Sequence, residues 1–105
     1  MDLIRRERRE AAAELLAQAR YYEGQRAGLG TAFMDAVDAA IAAIEAFPDA
    51  AGPYPGWDRE PMLRLRHVEG FPVGIVYLVD GRDLVVFAYA HHRRAPGYWL
   101  GRLDP

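Results

Sequence analysis

The hydrophobic period of this chain changes once, and that change limits what it can fold into. From Glu10 to Phe47 apolar residues recur every three or four positions, the spacing of one face of a helix. From Met62 to Ala90 they alternate or run together, as in half-buried and fully buried strands. Between the two regimes, Asp49 to Pro61 holds Pro53, Pro55, Gly56 and Pro61 and reads as a connecting loop. Helices first and strands afterwards predict an α+β domain.

In the first helix, about Glu10 to Gln25, the expected apolar face is Ala12, Leu15, Leu16, Ala19 and Tyr22. Of Tyr21 and Tyr22, only one can point to the core. Gly24, Gly28 and Gly30 mark the end of this helix and a tight connection, after which Thr31 is placed to cap a second helix. That helix presents Phe33, Val37, Ala40, Ile41 and Ile44 and must stop near Phe47, because Pro48 disfavours helix at the residue before it. A short loop between two helices implies an antiparallel hairpin. Met62 to Val68 then alternates Leu63 and Leu65, with His67 in the same register, against Arg64 and Arg66, so one face of that strand is basic. Val73 to Val79 and Leu84 to Ala90 are two further strands. Asp80-Gly81 forms the turn between them, with Arg82 and Asp83 lengthening the loop. Asp2 to Arg9 is either a short edge strand begun by Leu3 and Ile4 or an extension of the first helix, and the strand is preferred. The expected architecture is an N-terminal antiparallel helical hairpin packed on one face of a three- to four-stranded antiparallel β-sheet.

Two helices cover one face of a small sheet. The last two strands nevertheless carry apolar residues on both faces: Val73, Ile75, Tyr77 and Val79 against Val76 and Leu78, then Val85, Phe87 and Tyr89 against Val86 and Ala88. One face therefore lacks an obvious cover. An exposed apolar patch marks a protein partner or self-association, including a homo-dimer. The alternative is that the loop from Asp49 to Pro61, with Tyr54 and Trp57, and the C-terminal tail fold back over that face. Both readings stand at this point.

Composition narrows the chemistry. At 105 residues the chain is one domain with enough apolar residues for one core. Its longest apolar stretches, Phe71 to Val79 and Leu84 to Ala90, fall short of the about 20 residues that span a membrane, and the charged N-terminus is not signal-like, so a cytoplasmic location and no membrane partner are expected. Cysteine is absent, which removes disulfides, thiolate ligands and a Cys nucleophile. Ser, Asn and Lys are absent too, leaving Thr31 as the sole aliphatic hydroxyl, so a Ser-His-Asp or Ser-Lys hydrolase and a Lys Schiff base are excluded. This Ala-rich, Lys-free usage is most simply the mark of a GC-rich genome. The formal net charge is −2. Acids dominate Asp2 to Asp58 and arginines dominate Arg59 to Arg102, an excess too small for a dedicated nucleic-acid binder.

Two stretches of sequence carry a resemblance. Ala11-Ala12-Ala13-Glu14-Leu15, Tyr21-Tyr22, Gly28-Leu29-Gly30, Phe33 and Phe47-Pro48 are similar to the N-terminal half of the RelE/ParE superfamily of bacterial toxins, often called plasmid stabilisation proteins. Phe71-Pro72, Tyr77, and Ala90-His91-His92-Arg93-Arg94-Ala95-Pro96-Gly97-Tyr98-Trp99 with Arg102 resemble its second half, which closes on His, two residues, Arg, one residue, Pro, one residue, Tyr-Trp. The likeness runs from about Ala11 to Arg102, and its specificity lies in the order and spacing of the pieces. It implies a helical hairpin on a twisted antiparallel sheet and a cognate antitoxin whose segment lies across the toxin by helix-in-groove or strand addition.

The superfamily divides between ribosome-dependent mRNA endonucleases like RelE and DNA gyrase inhibitors like ParE. RNA cleavage needs a base for the 2′-hydroxyl, an acid for the leaving oxygen and cations on the phosphate. RNase-type members carry Lys or Arg on the early strands, an Arg soon after the aromatic opening the central strand, and an Arg six residues before a Tyr. Here Pro72 follows Phe71, lysine is missing, and His92 stands six residues before Tyr98 with Arg93 and Arg94 adjacent. No catalytic set is assigned; His92, Arg94 and Tyr98 are the candidates for a reduced acid/base set. Arg64, Arg66, Arg93, Arg94, Trp99 and Arg102 are the candidates for contact with antitoxin or target. Their plainer reading is that Arg94 pairs with a helix acid while Pro96, Tyr98 and Trp99 pack the chain end onto the domain. His91 and His92, as strand neighbours, face opposite ways, so with His67 they make no expected metal site, and no cofactor is expected. The ParE-like gyrase inhibitor ranks first, the endonuclease acting on ribosome-bound mRNA second, and a non-toxic protein-binding module on the same scaffold third.

Overall fold

A computed structural model describes residues 2–103. In chain order the elements are β1 (Ile4–Glu7), α1 (Arg9–Gln25), α2 (Leu29–Ala46), β2 (Arg64–His67), β3 (Val73–Asp80), β4 (Asp83–His91) and a 3-10 turn (Leu100–Arg102). The strands form one sheet in the order β1-β4-β3-β2. The helical hairpin and the antiparallel meander are as the periodicity predicts, and the N-terminus is the preferred edge strand. β1, however, lies parallel to β4, with Ile4 opposite Asp83 and Glu7 opposite Val86, so the sheet is mixed rather than wholly antiparallel. A parallel neighbour needs a long crossover, and here the hairpin and two strands separate the pair in sequence.

The apolar face of α1 is turned one position from the expected one. Ala11 and Leu15 are buried and Ala19 and Tyr22 pack beside them, whereas Ala12 and Leu16 face solvent. Tyr22 is the inward tyrosine, in ring contact with Phe33 and Phe71 at 5.0 Å each, and Tyr21 is exposed. Thr31 does not cap α2. That helix begins two residues earlier, after Gly28 at φ 88°, and the Glu23 carboxylate accepts the backbone N–H groups of Gly28 and Gly30 at 3.0 Å. The glycine-rich connection turns tightly enough to bring the start of α2 under the last turn of α1, where the longer Glu side chain reaches its free N–H groups. At Gly30 the helices touch: a Cβ there would sit 2.6 Å from the Ala19 carbonyl oxygen.

Phe33, Val37, Ile41 and Ile44 of α2 bury the helix-side face of the sheet, which presents Val73, Ile75, Tyr77, Val86 and Tyr89. The alternation read from β4 fails at one point. Val76 lies opposite Ala88 and Tyr77 opposite Val86, so Phe87 is the extra residue of a β-bulge. The bulge places Leu84, Val86 and Tyr89 on the helix side and Val85, Phe87 and Ala88 on the other. The β3-β4 turn is also tighter than expected, since Asp80 pairs with Asp83 and only Gly81 and Arg82 remain between them.

The second face is not left for another polypeptide. Leu63, Val76, Leu78, Phe87, Ala88 and Trp99 form a separate buried cluster, with Tyr54, Trp57, Tyr98 and Leu103 against it. The expectation of an uncovered face is overturned, and its alternative, the chain's own loop and tail, holds. The loop is tied down by Tyr54 N–H to Leu63 C=O at 2.8 Å and by the Arg64 guanidinium on the Ala51 carbonyl at 2.7 Å. Trp99, at 1% exposure, is the keystone of the tail and meets Tyr54 edge-on at 4.8 Å. Removing an indole of this size from water is worth roughly 5 kcal/mol at about 25 cal/mol per Å². That is enough to hold a short segment in place.

Candidate functional site

The closing segment after β4 returns to α1, and the two meet at Glu14. One Glu14 oxygen accepts the Tyr98 hydroxyl at 2.6 Å and the Arg102 guanidinium at 3.1 Å; the other accepts Arg102 at 2.9 Å and the backbone N–H of Tyr89 at 3.2 Å. Arg102 also donates to the Phe87 carbonyl, one consequence of the bulge being close by. The Glu14 and Arg102 side chains are each only 14% exposed, so the pair is shielded and its hydrogen bonds are charge-assisted. Burial, and then the hydrogen bond to Glu14, hold the Tyr98 phenol well above its ordinary range. Its hydroxyl is a committed donor.

Beside this junction lies a cleft of about 370 Å³ walled by α1, the end of β4 and the closing segment. Ala17, Tyr21 and Tyr22 supply its apolar side and Gln18 its polar side, while His91, Arg93 and Arg94 form the opposite rim. Arg94 stacks its guanidinium over the Tyr98 ring at 4.0 Å. Among the ion pairs of the described residues neither Arg93 nor Arg94 takes part; the helix acid expected for Arg94 is taken by Arg102 instead. His91 accepts the Arg93 backbone N–H on Nδ1 at 3.0 Å, which leaves its proton on Nε2. Partial burial, then the Arg93 cation and the His92 ring, push the His91 imidazole below its usual range.

The expected site residues divide into separate places. Arg93, Arg94, Tyr98 and Arg102 gather at the α1 end of β4. Arg64 and Arg66 are on β2 at the far edge of the sheet, where Arg64 holds the loop and pairs with Asp49 at 3.5 Å. Arg66 lines a hollow with Ala36 and Ala40 of α2 and Glu69 of the β2-β3 connection. No described cavity is lined by both arginine pairs. Trp99 is buried. His92, Arg94 and Tyr98 do line one small cavity of about 140 Å³ on the other side of the closing segment, although the Tyr98 hydroxyl is engaged by Glu14. His92 meets the His67 ring edge-on at 5.3 Å. Among the described residues no group of three or more His, Cys, Asp or Glu is placed to hold a metal ion.

Sequence reasoning missed Glu14 and Gln18, which read as ordinary polar positions of an amphipathic helix. It also missed the network on β1. There Glu7 accepts the Tyr89 hydroxyl at 2.5 Å, and Arg5 donates to that same hydroxyl at 2.5 Å and to Glu7 at 3.1 Å. Burial, followed by the Glu7 hydrogen bond, raises the Tyr89 phenol strongly. For Glu14 the advance signals were its place in the family-like stretch Ala11-Ala12-Ala13-Glu14-Leu15 and the expectation that a helix acid pairs with a closing arginine; Glu7, on a strand with no buried residue, had none.

The fold is similar to that of a solved structure titled "Chromosomal ParDE TA system from P. aeruginosa". The TM-score is 0.68 at 15% sequence identity, and the match covers 86% of this chain and 96% of that one. No curated protein matches the sequence. The sequence profile described as "ParE toxin of type II toxin-antitoxin system, parDE" matches residues 7–96. The chain belongs to this ParE toxin family, within the RelE/ParE superfamily that its closing pattern resembles. No described helix is long and apolar enough to cross a membrane.

Proposed function

We propose that this protein acts in the cytoplasm as a non-enzymatic toxin that inhibits DNA gyrase and is neutralised by a cognate antitoxin. The observation that carries the choice is the state of Tyr98. In an RNA-cleaving site its hydroxyl would have to exchange a proton or contact the reacting phosphate, yet it is held by a shielded carboxylate at 2.6 Å and its ionisation is suppressed. Pro72 stands where RNase-type members place an arginine, and no lysine is available to replace it. The exposed arginines of the rim, Arg93 and Arg94, are the residues offered to a partner.

The test is a supercoiling assay with purified toxin and gyrase. Loss of supercoiling at near-stoichiometric toxin is the expected result. No effect on gyrase, together with codon-position cuts in ribosome-bound mRNA, would establish the endonuclease instead. One observation favours that second reading: His92, Arg94 and Tyr98 border a common cavity.

A further inference from the structure

Resting on the reading of this chain as an antitoxin-neutralised toxin, we propose that the cleft between α1 and the closing segment seats an acidic, aliphatic stretch of the antitoxin. One of its carboxylates is clamped by Arg93 and Arg94, and a neighbouring apolar side chain lies on Ala17, Tyr21 and Tyr22.

Three observations converge on this occupant. The first is charge. Glu14 satisfies Arg102, but Arg93 and Arg94 on the same rim take part in no described ion pair, and the stacking of Arg94 on Tyr98 leaves the edge of its planar guanidinium able to bind a carboxylate through two hydrogen bonds. The second is apolar surface. Tyr21 is 62% exposed and stands over the cleft with Ala17, a platform for an aliphatic side chain.

The third is an orphan acceptor. Gln18 spends its amide N–H groups on the carbonyls of Glu14 and Tyr89, which fixes the orientation of the side chain, and its Oε1 is buried without a donor. A small shift of the Gln18 side chain on binding opens this oxygen to the cleft, where a peptide backbone brings the N–H it lacks. A polyanionic strand fits less well. The protein carries a formal charge of −2, so beyond this rim there is little long-range attraction for a phosphate backbone.

The experiment is calorimetric titration of the toxin with the small protein encoded by the adjoining gene. Wild type is compared with the double variant Arg93→Glu, Arg94→Glu, with Tyr21→Ala, and with Arg82→Glu at the β3-β4 turn as a control. The double variant is expected to bind roughly 100-fold more weakly or worse, Tyr21→Ala about tenfold more weakly, and the control as wild type. Melting curves within about 2 °C of wild type confirm that the variants are folded.

Unchanged affinity in the double variant, with tight binding to wild type, overturns the cleft proposal and leaves the antitoxin reading standing. Absence of binding to wild type removes both. A short oligouridylate that binds wild type but not the double variant, with antitoxin affinity unaltered, reassigns the cleft to nucleic acid and also overturns the proposal.

Discussion

Replacing Glu14 by alanine removes the single carboxylate that ties the closing segment to α1. Four contacts go with it: the Tyr98 hydroxyl at 2.6 Å, two from Arg102 at 2.9 and 3.1 Å, and the Tyr89 N–H at 3.2 Å. Arg102 is then a shielded cation with only the Phe87 carbonyl as acceptor. Breaking one partner out of a buried ion pair costs about 3–5 kcal/mol. Because both side chains retain 14% exposure, the lower end applies, about 3 kcal/mol. Against a total stability of roughly 5–15 kcal/mol for a domain of this size, that is a large fraction. It corresponds to a fall in melting temperature of roughly 12 °C or more.

Thermal melts followed by circular dichroism, with urea titrations to check that the slope is unchanged, measure this loss. Glu14→Gln keeps one acceptor oxygen, enough for either the Tyr98 hydroxyl or the Tyr89 N–H but not both, and removes the charge, so well over half the loss is expected. A double-mutant cycle between Glu14→Ala and Arg102→Met should give a coupling above about 1.5 kcal/mol. A fall of less than about 1 kcal/mol in Glu14→Ala, the worth of a surface pair, would refute the view that this carboxylate fastens the tail.

Gly30→Ala should lower stability by about 1–3 kcal/mol, because the new Cβ meets the Ala19 carbonyl at 2.6 Å and the helices must part; an unchanged melting temperature would show that the hairpin yields freely. Alkaline pH should unfold the protein. The Tyr89 and Tyr98 phenols are raised above 10.0 in the fold, so the unfolded chain releases protons first, and their stabilisation, complete below about pH 10, is lost as pH rises beyond it. Phenolate absorbance of these two residues, identified with Tyr89→Phe and Tyr98→Phe, should rise together with loss of the dichroism signal; ionisation near pH 10 with the fold intact would contradict this.

How much of this was legible in the sequence follows the physics of each element. The two helices and the meander were plain because their burial imposes a period on the residues. The direction of β1 was not, since four residues, three of them charged, carry no record of which neighbour they pair with or in which sense. The bulge at Phe87 hid inside an unbroken apolar run, where alternation has no polar residue to expose a slip. The cover of the second face was legible as one of two readings, and Trp99 and Tyr54 were among the residues that decide it. Arg93, Arg94, Tyr98 and Arg102 come together because the closing pattern lies in one short stretch. Glu14, which fastens Tyr98 and Arg102, lies 84 residues from Tyr98, and sequence distance of that kind gives no warning of contact.

The loop and the tail cover the second face of the sheet from within, so the described residues of this domain bury both faces without drawing on another chain. Its melting point should be indifferent to dilution, unlike that of a protein completed by its mate. If an antitoxin restrains this domain, its removal is expected to release a toxin whose sheet is already covered on both faces.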